Sequence, residues 1–140
     1  TLADMDGEIQ KSPYKFKIDI PKEAVMVYAD GDRMYRVFQN LIGNALKYSL
    51  EGSRIYISLK TEKNAAVADI RNTSRSELKQ DVDFTARFTR GDESRTDGGS
   101  GLGLSIAKSF TEACGGTFEV ETMADLFTVK VSFEQKKCNV

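Results

Sequence analysis

Apolar and polar residues alternate along this 140-residue chain with two periods, and each period predicts a different kind of element. A period of two predicts strands, and it occurs in residues 14–20, 54–61, 65–72, 117–122 and 126–133, with a further short strand predicted at 24–28. A spacing of three and four predicts helices, and it occurs in residues 32–49 and 104–113. Residues 1–13 repeat apolar side chains more sparsely, which fits a short helix or the frayed end of a longer one.

These elements predict an α+β protein built as a two-layer α/β sandwich, because strands and amphipathic helices bury their apolar faces against each other. A chain of this length is the size of one domain, so we assign residues 1–140 to a single domain. Gly115 and Gly116 follow the second long helix and are expected to end it. Residues 75–96 are mostly polar and are predicted to form a loop with a short helical piece.

The longer predicted helix carries two stripes of side chains. Its apolar stripe would lie on the core, and Asp30 or Asp32 can cap its first turn. Asn40, Asn44 and Lys47 form a second stripe beside the first, because positions i, i+4 and i+7 share one edge of a helix. Two amides and an ammonium group suit a metal ion and a row of phosphates, although a solvated edge that happens to carry asparagine explains the same stripe.

Residues 87–108 combine arginines, glycines and the start of a helix. Arginines come first and glycines follow directly before the helix, at Arg87, Arg90, Arg95, Gly98, Gly99, Gly101 and Gly103. Backbone N–H groups of such a loop can bind an anion such as phosphate at the helix N-terminus. A Gly-x-Gly pair alone is often only a flexible turn, so the arginines before it and the helix after it are what favour an anion site.

Composition excludes several classes of function. Lys and Arg total 20 and Asp and Glu total 21, and a net charge of −1 gives no overall attraction for nucleic acid or an anionic membrane. The chain has no histidine, which excludes Ser-His and Cys-His catalytic groups within it. It has no apolar run long enough to span a bilayer and no signal peptide. Cys114 and Cys138 lack metal-site spacing and are predicted to be reduced thiols.

The stretches RVFQNLIGNALKYS at residues 36–49, RFTRGDESR and GGSGLGLSIAK follow one another in the chain. They resemble the N-box, the F-box with its lid, and the second glycine box of sensor histidine kinases, in that family's order. The resemblance covers essentially the whole chain and places an altered first glycine box at 68–78, the F-box and lid at 79–98, and the second glycine box at 99–104. It implies the Bergerat ATP-binding fold shared with gyrase and Hsp90 ATPase domains: a mixed five- or six-stranded sheet with about three helices on one face.

The resemblance also implies where ATP and Mg²⁺ would bind on the long helix. It implies that Asn44 coordinates the magnesium ion and that Asn40, one turn earlier, reaches the metal or its waters. Magnesium takes oxygen ligands and keeps several waters, so one or two amide oxygens and the phosphates are enough. Lys47 would contact phosphate, and Tyr48 would either lie near the nucleotide or pack in the core.

In the glycine box and the lid, the resemblance implies contacts to the phosphates. The nucleotide-binding residues that it implies there are Gly99, Gly101, Leu102, Gly103 and Leu104. Arg90 or Arg95 of the lid would stabilise charge on the transferred phosphoryl group, unless these arginines are only solvated. Together with Asn44 and Lys47, these arginines are the candidate catalytic residues.

The segment ADIRNTSRSEL departs from the family's first glycine box, a strand ending Asp-x-Gly-x-Gly whose Asp bonds the adenine amino group. Counting in twos, Asn72 shares a face with Ile70 and takes the adenine-contacting place, whereas Asp69 lies on the other face and is expected at the surface. The Asn72 amide oxygen can accept from an amino group, but a neutral hydrogen bond contributes less than a charged one. We therefore expect nucleotide binding that is retained but weakened.

Relatives that hydrolyse ATP or phosphorylate serine carry a Glu base one helical turn before the metal-binding Asn, and that place is Asn40 here. An amide cannot accept a proton, whereas neutral imidazole is nucleophilic without a base, so the sequence favours phosphoryl transfer from ATP to histidine. The acceptor histidine must come from elsewhere. The resemblance implies a dimerisation domain of the same parent protein, absent from residues 1–140, so the fragment is not expected to phosphorylate itself.

Two alternatives stay open: a nucleotide-sensing or docking module that binds ATP weakly, and a serine kinase or ATPase of the same fold. The resemblance implies a response regulator as partner of the parent protein, and neither nucleic acid nor direct membrane insertion for this domain. It also implies a cytoplasmic domain whose parent is anchored in the bacterial plasma membrane.

Overall fold

The structure is a computed structural model that describes residues 3–76, 78 and 103–135. In these ranges three helices and five strands follow one another: α1 (Asp6–Lys11), β1 (Lys15–Asp19), α2 (Gly31–Tyr48), β2 (Arg54–Glu62), β3 (Ala65–Thr73), α3 (Gly103–Ala113), β4 (Thr117–Met123) and β5 (Leu126–Glu134). Each lies where the hydrophobic pattern predicts an element. The loop predicted at 75–96 lies outside the described residues, apart from Arg75, Ser76 and Leu78.

The strands form one mixed sheet in the order β1-β2-β3-β5-β4. β1 runs parallel to β2, and the other neighbouring pairs are antiparallel. Lys63 and Asn64 connect β2 to β3 with positive φ angles of 48° and 65°, the conformation that a two-residue hairpin turn of type I′ requires. One mixed five-stranded sheet with three helices in the described ranges confirms the predicted two-layer sandwich.

The helices and the sheet share one apolar core. α2 buries Val37, Leu41, Ile42 and Ala45 of its apolar stripe. These side chains join a cluster with sheet residues that include Ile55, Ile57, Ile70, Phe118, Phe127, Val129, Val131 and Phe133. The other face of the sheet is mostly polar and exposed, so the amphipathic pattern of the strands fixes which side the helices cover.

Two predictions are wrong. Residues 24–28 form no strand, and only Val27 makes an isolated bridge, to Gln135. Alternate residues of this segment are exposed, and no described strand pairs with it at a second position. A single bridge does not make a strand. Asp69 is only 7% exposed rather than at the surface. β3 lies at the centre of the sheet, where side chains of both neighbouring strands cover it, and the Ser58 hydroxyl donates to the Asp69 carboxylate at 2.8 Å.

No helix within the described ranges is long and apolar enough to cross a membrane. Cys114, just after α3, is a half-buried free thiol, and Cys138 lies outside the described residues. Gly115 adopts a φ of +86° after α3, which is the left-handed conformation common where helices end. The predicted glycine cap of this helix is therefore confirmed.

Candidate functional site

The first turn of α2 is fixed by a capping carboxylate. The Asp30 side chain accepts hydrogen bonds from the backbone N–H groups of Asp32 at 3.0 Å and Arg33 at 3.2 Å. Of the two capping candidates, Asp30 is therefore the cap, and Asp32 lies in the first turn. This cap and the buried apolar stripe together set the rotation of α2 on the sheet.

The first residue of the polar stripe of α2 contacts the start of α3. Asn40, Asn44 and Lys47 are all half-buried. The Asn40 side-chain Nδ2 donates to the backbone carbonyl of Gly103, 63 residues away in sequence, at 3.4 Å. This contact engages the donor side of the amide, so the Asn40 Oδ1 stays available to another group. The structure thus brings Asn40, the first residue of the stripe, against the last glycine of the glycine-rich loop.

α3 begins at this contact and packs along α2. Gly103 and Leu104 are half-buried, and Leu104 packs against the core cluster. Farther along, the guanidinium carbon of Arg33 lies 5.6 Å from the centre of the Phe110 ring. The first backbone N–H groups of a helix have no partner within the helix. The first turn of α3 therefore supplies hydrogen-bond donors beside the amides of α2.

The last turn of α2 is tied to the end of β3 by hydrogen bonds. The backbone N–H of Leu50 donates to the Thr73 carbonyl at 2.8 Å. Arg75 donates from its backbone N–H to the Tyr48 carbonyl at 3.1 Å and from Nη2 to the Lys47 carbonyl at 2.7 Å. Hydrophobic spacing and local motifs do not predict this role of Arg75, because these partners lie 27 to 28 residues earlier in the chain.

Tyr48 is half-buried, and the Lys47 ammonium lies 5.7 Å from the centre of its ring. The geometry therefore places Tyr48 between core and surface, and it keeps the Lys47 charge at this end of α2. Both alternatives for Tyr48, a place near the nucleotide and a packing role, are compatible with this position.

Asn72 is a buried polar side chain at the end of β3. It is 3% exposed and lies between Ile55 of β2 and Phe127 of β5 in the register of the sheet. No hydrogen bond joins its side chain to another described residue. A buried amide normally has a partner, because leaving it without one costs free energy. Its position at the end of β3 and its amide group fit a contact with a bound ligand.

These residues fit a magnesium ion that is bound together with phosphates. The described residues contain no group of three or more His, Cys, Asp and Glu that would hold a metal ion alone. The amide oxygens of Asn40 and Asn44 are hard oxygen donors, which suit magnesium when phosphate oxygens and water complete its shell. Five predicted site residues lie outside the described residues: Arg90, Arg95, Gly99, Gly101 and Leu102.

Comparisons with known proteins identify relatives of the chain. It is 36% identical over 110 residues to the sensor protein KdpD of Clostridium acetobutylicum, covering 76% of this chain and 12% of that protein. It is 36% identical over 118 residues to the sensor histidine kinase YcbM of Bacillus subtilis, covering 81% of this chain and 38% of that protein. The chain thus spans well under half the length of these relatives.

The fold matches a solved structure, the catalytic domain of histidine kinase ThkA in a nucleotide-free form. The TM-score is 0.80 at 21% identity, and the match covers 96% of this chain and 87% of that one. The sequence profile of the family described as "Histidine kinase-, DNA gyrase B-, and HSP90-like ATPase" matches residues 29–136, which include α2, α3 and β2 to β5. The chain therefore belongs to this family of ATPase domains, and its membership implies ATP binding.

Proposed function

We propose that this chain is the catalytic domain of a two-component sensor histidine kinase. It binds ATP with Mg²⁺ and transfers the γ-phosphoryl group to a histidine on a separate dimerisation domain of the same parent protein. The observation that carries the proposal is the contact of Asn40 with Gly103, which puts the amide stripe of α2 beside the first turn of α3. Sensor histidine kinases among the relatives support the same assignment.

The polar side chains of α2 have two roles, one at the metal ion and one at the phosphates. Asn44, with Asn40 one turn earlier, holds Mg²⁺ through amide oxygens, and Lys47 contacts phosphate as a point charge. When bound, Mg²⁺ neutralises negative charge on the phosphates. Glycine-box N–H groups bind phosphate oxygens, and we assign the residues of 99–104 to this role: Gly99, Gly101, Leu102, Gly103 and Leu104. Arg90 or Arg95 of the lid stabilises charge on the phosphoryl group during transfer.

The adenine end of the site is assigned to Asn72. This assignment is supported by hydrogen bonds that join Thr73 and Arg75, which follow Asn72 in the chain, to the end of α2 that carries Lys47. The Asn72 amide oxygen accepts from the adenine amino group, and no hydrogen bond joins this side chain to another described residue. This neutral bond replaces the charged one of the family's usual Asp, and the site therefore binds nucleotide less tightly.

Asn40 determines the class of acceptor. An amide takes no proton, so it does not activate water or a serine hydroxyl, both of which need a base near neutral pH. A neutral imidazole attacks without that help. The chain itself contains no histidine, so the acceptor belongs to the dimerisation domain, and a response regulator takes the phosphoryl group from there.

Transfer of labelled phosphate from ATP to an added dimerisation domain tests the proposal. We expect transfer by the unsubstituted chain, with a product that acid hydrolyses, because phosphohistidine is acid-labile. The Asn44→Ala variant should lose transfer, whereas Gln39→Ala, an exposed position on the same helix, should keep it. An acid-stable product would instead identify a serine kinase. No change in the unfolding temperature with millimolar ATP and Mg²⁺ would identify a docking module.

A further inference from the structure

The open face of the sheet carries a group of cations around an exposed tyrosine. β1 and β2 pair in parallel with Lys15 opposite Arg54 and Lys17 opposite Tyr56, and β3 places Arg71 on the other side of Tyr56. Residues paired across strands point to the same face of a sheet. All five side chains are exposed, Tyr56 by 42%. We call these residues, Lys15, Lys17, Arg54, Tyr56 and Arg71, the basic patch.

The positions of the cations in the basic patch lower the stability of the folded chain. Like charges directly opposite each other on neighbouring strands repel, and Lys15 and Arg54 are such a pair. Lysines elsewhere on the same face have carboxylate partners, with Lys60 at 3.5 Å from Glu62 and Lys130 at 3.3 Å from Glu121.

In contrast, the side chains of Lys15, Lys17 and Arg54 have no ion-pair partner among the described residues. Arg71 makes one hydrogen bond, from Nε to the Thr128 hydroxyl at 3.3 Å. A local arrangement that lowers stability and has no compensating partner among the described residues is typical of a functional surface.

We propose that the basic patch docks an acidic segment of a partner protein. Alternate residues on a strand lie about 7 Å apart and neighbouring strands about 4.8 Å apart, so the patch covers roughly 7 by 10 Å. An area of this size holds two or three carboxylates, with the Tyr56 ring as an apolar and hydrogen-bonding centre.

Charges around the basic patch favour this partner over a membrane or nucleic acid. Asp19, Glu62, Glu119 and Glu121 are exposed on the strands around it and would be repelled by a uniformly anionic surface. The whole chain has a net charge of −1, which gives it no overall attraction for an anionic membrane or for nucleic acid. A short acidic segment meets the cations and avoids the surrounding carboxylates.

A peptide of alternating Glu and Ser residues tests the proposal, with binding to the ¹⁵N-labelled chain followed by NMR at low salt. Chemical-shift changes should be confined to β1, β2 and β3 and should decrease as salt is added. The Lys17→Glu/Arg54→Glu variant should bind at least tenfold more weakly. Lys11→Glu/Lys22→Glu is the matched control, because it changes the net charge equally at exposed positions outside the basic patch, and it should bind nearly as well as the unsubstituted chain.

Stability provides a second measurement. Arg54→Glu alone replaces the like-charge pair with an opposite-charge pair, so its unfolding temperature should rise by about 1–4 °C while binding weakens. An unchanged or lower unfolding temperature would overturn the like-charge argument. Equal loss of binding in the control variant, or tighter binding to phosphatidylserine vesicles than to the peptide, would overturn the proposed partner.

Discussion

Replacing the buried amide of Asn72 with a carboxylate should strengthen nucleotide binding and weaken the free protein. Asn72→Asp restores the charged acceptor of the family's usual first glycine box with almost no change of shape. The side chain is 3% exposed and has no hydrogen bond to another described residue. Among the described residues the added charge would have no hydrogen-bond donor, so a bound adenine amino group should stabilise it.

The two effects can be estimated separately. Hydrogen bonds to charged groups contribute about 1.5–3 kcal/mol and neutral ones about 0.5–1.5 kcal/mol, so the substitution should add about 1–1.5 kcal/mol to binding. That gain corresponds to a Kd about fivefold to tenfold lower. In the free protein, an unpaired buried polar group costs about 1–3 kcal/mol or more, which lowers the unfolding temperature of a domain of this size by about 3–10 °C.

Isothermal titration with ATP and Mg²⁺ measures the first effect, and thermal unfolding without nucleotide measures the second. Asn64→Asp is the matched control, because it makes the same chemical change at an exposed turn and should alter neither quantity appreciably. Unchanged or weaker nucleotide binding by Asn72→Asp would refute the assignment of Asn72 to adenine. An equal loss of stability in Asn72→Asp and Asn64→Asp would refute the explanation that the burial of residue 72 causes the loss.

Two glycines should respond to alanine with opposite signs. A Cβ at Gly43 of α2 would meet no atom of the other described elements within 4 Å, so Gly43→Ala should raise the free energy of unfolding by about 0.5–1 kcal/mol in urea titrations, through helix propensity. A Cβ at Gly116 would lie 2.6 Å from the Phe133 ring and 2.9 Å from the Ser132 carbonyl oxygen, so Gly116→Ala should lower the same quantity by about 1–3 kcal/mol. Destabilisation by Gly43→Ala, or no effect of Gly116→Ala, would contradict the packing described for these positions.

The sequence predicts most of α2 because the relevant information is local. Both of its stripes follow from the spacing of side chains three and four residues apart, and the structure places them on the core and beside α3. The spacing of side chains does not decide whether Asp30 or Asp32 caps the helix, because the capping residue must have an extended backbone. Asp30 has that conformation, with ψ of 116°.

The features that the sequence does not predict depend on residues distant in the chain. Asp69 is buried in the central strand, where the Ser58 hydroxyl of a neighbouring strand donates to its carboxylate. The alternation of residues within one strand does not show which side chains the neighbouring strands place beside it. The basic patch depends on the parallel pairing of Lys15 with Arg54, which only the sheet order reveals. The hydrogen bond from Arg75 to the last turn of α2 likewise joins residues that are distant in the chain. The roles of Arg90 and the other glycine-box and lid residues outside the described ranges stay predictions.

Asn40 connects the position of α3 with the class of reaction. Its Nδ2 donates to the Gly103 carbonyl, which a glutamate at this position could not do, because carboxylate and carbonyl oxygens are both acceptors. A base here would therefore lose the hydrogen bond that holds the start of α3 and would place two acceptors against each other. The same amide joins Gly103, at the start of α3, to α2. Under the proposed function, the lack of a base at position 40 and the contact with α3 therefore follow from one side chain.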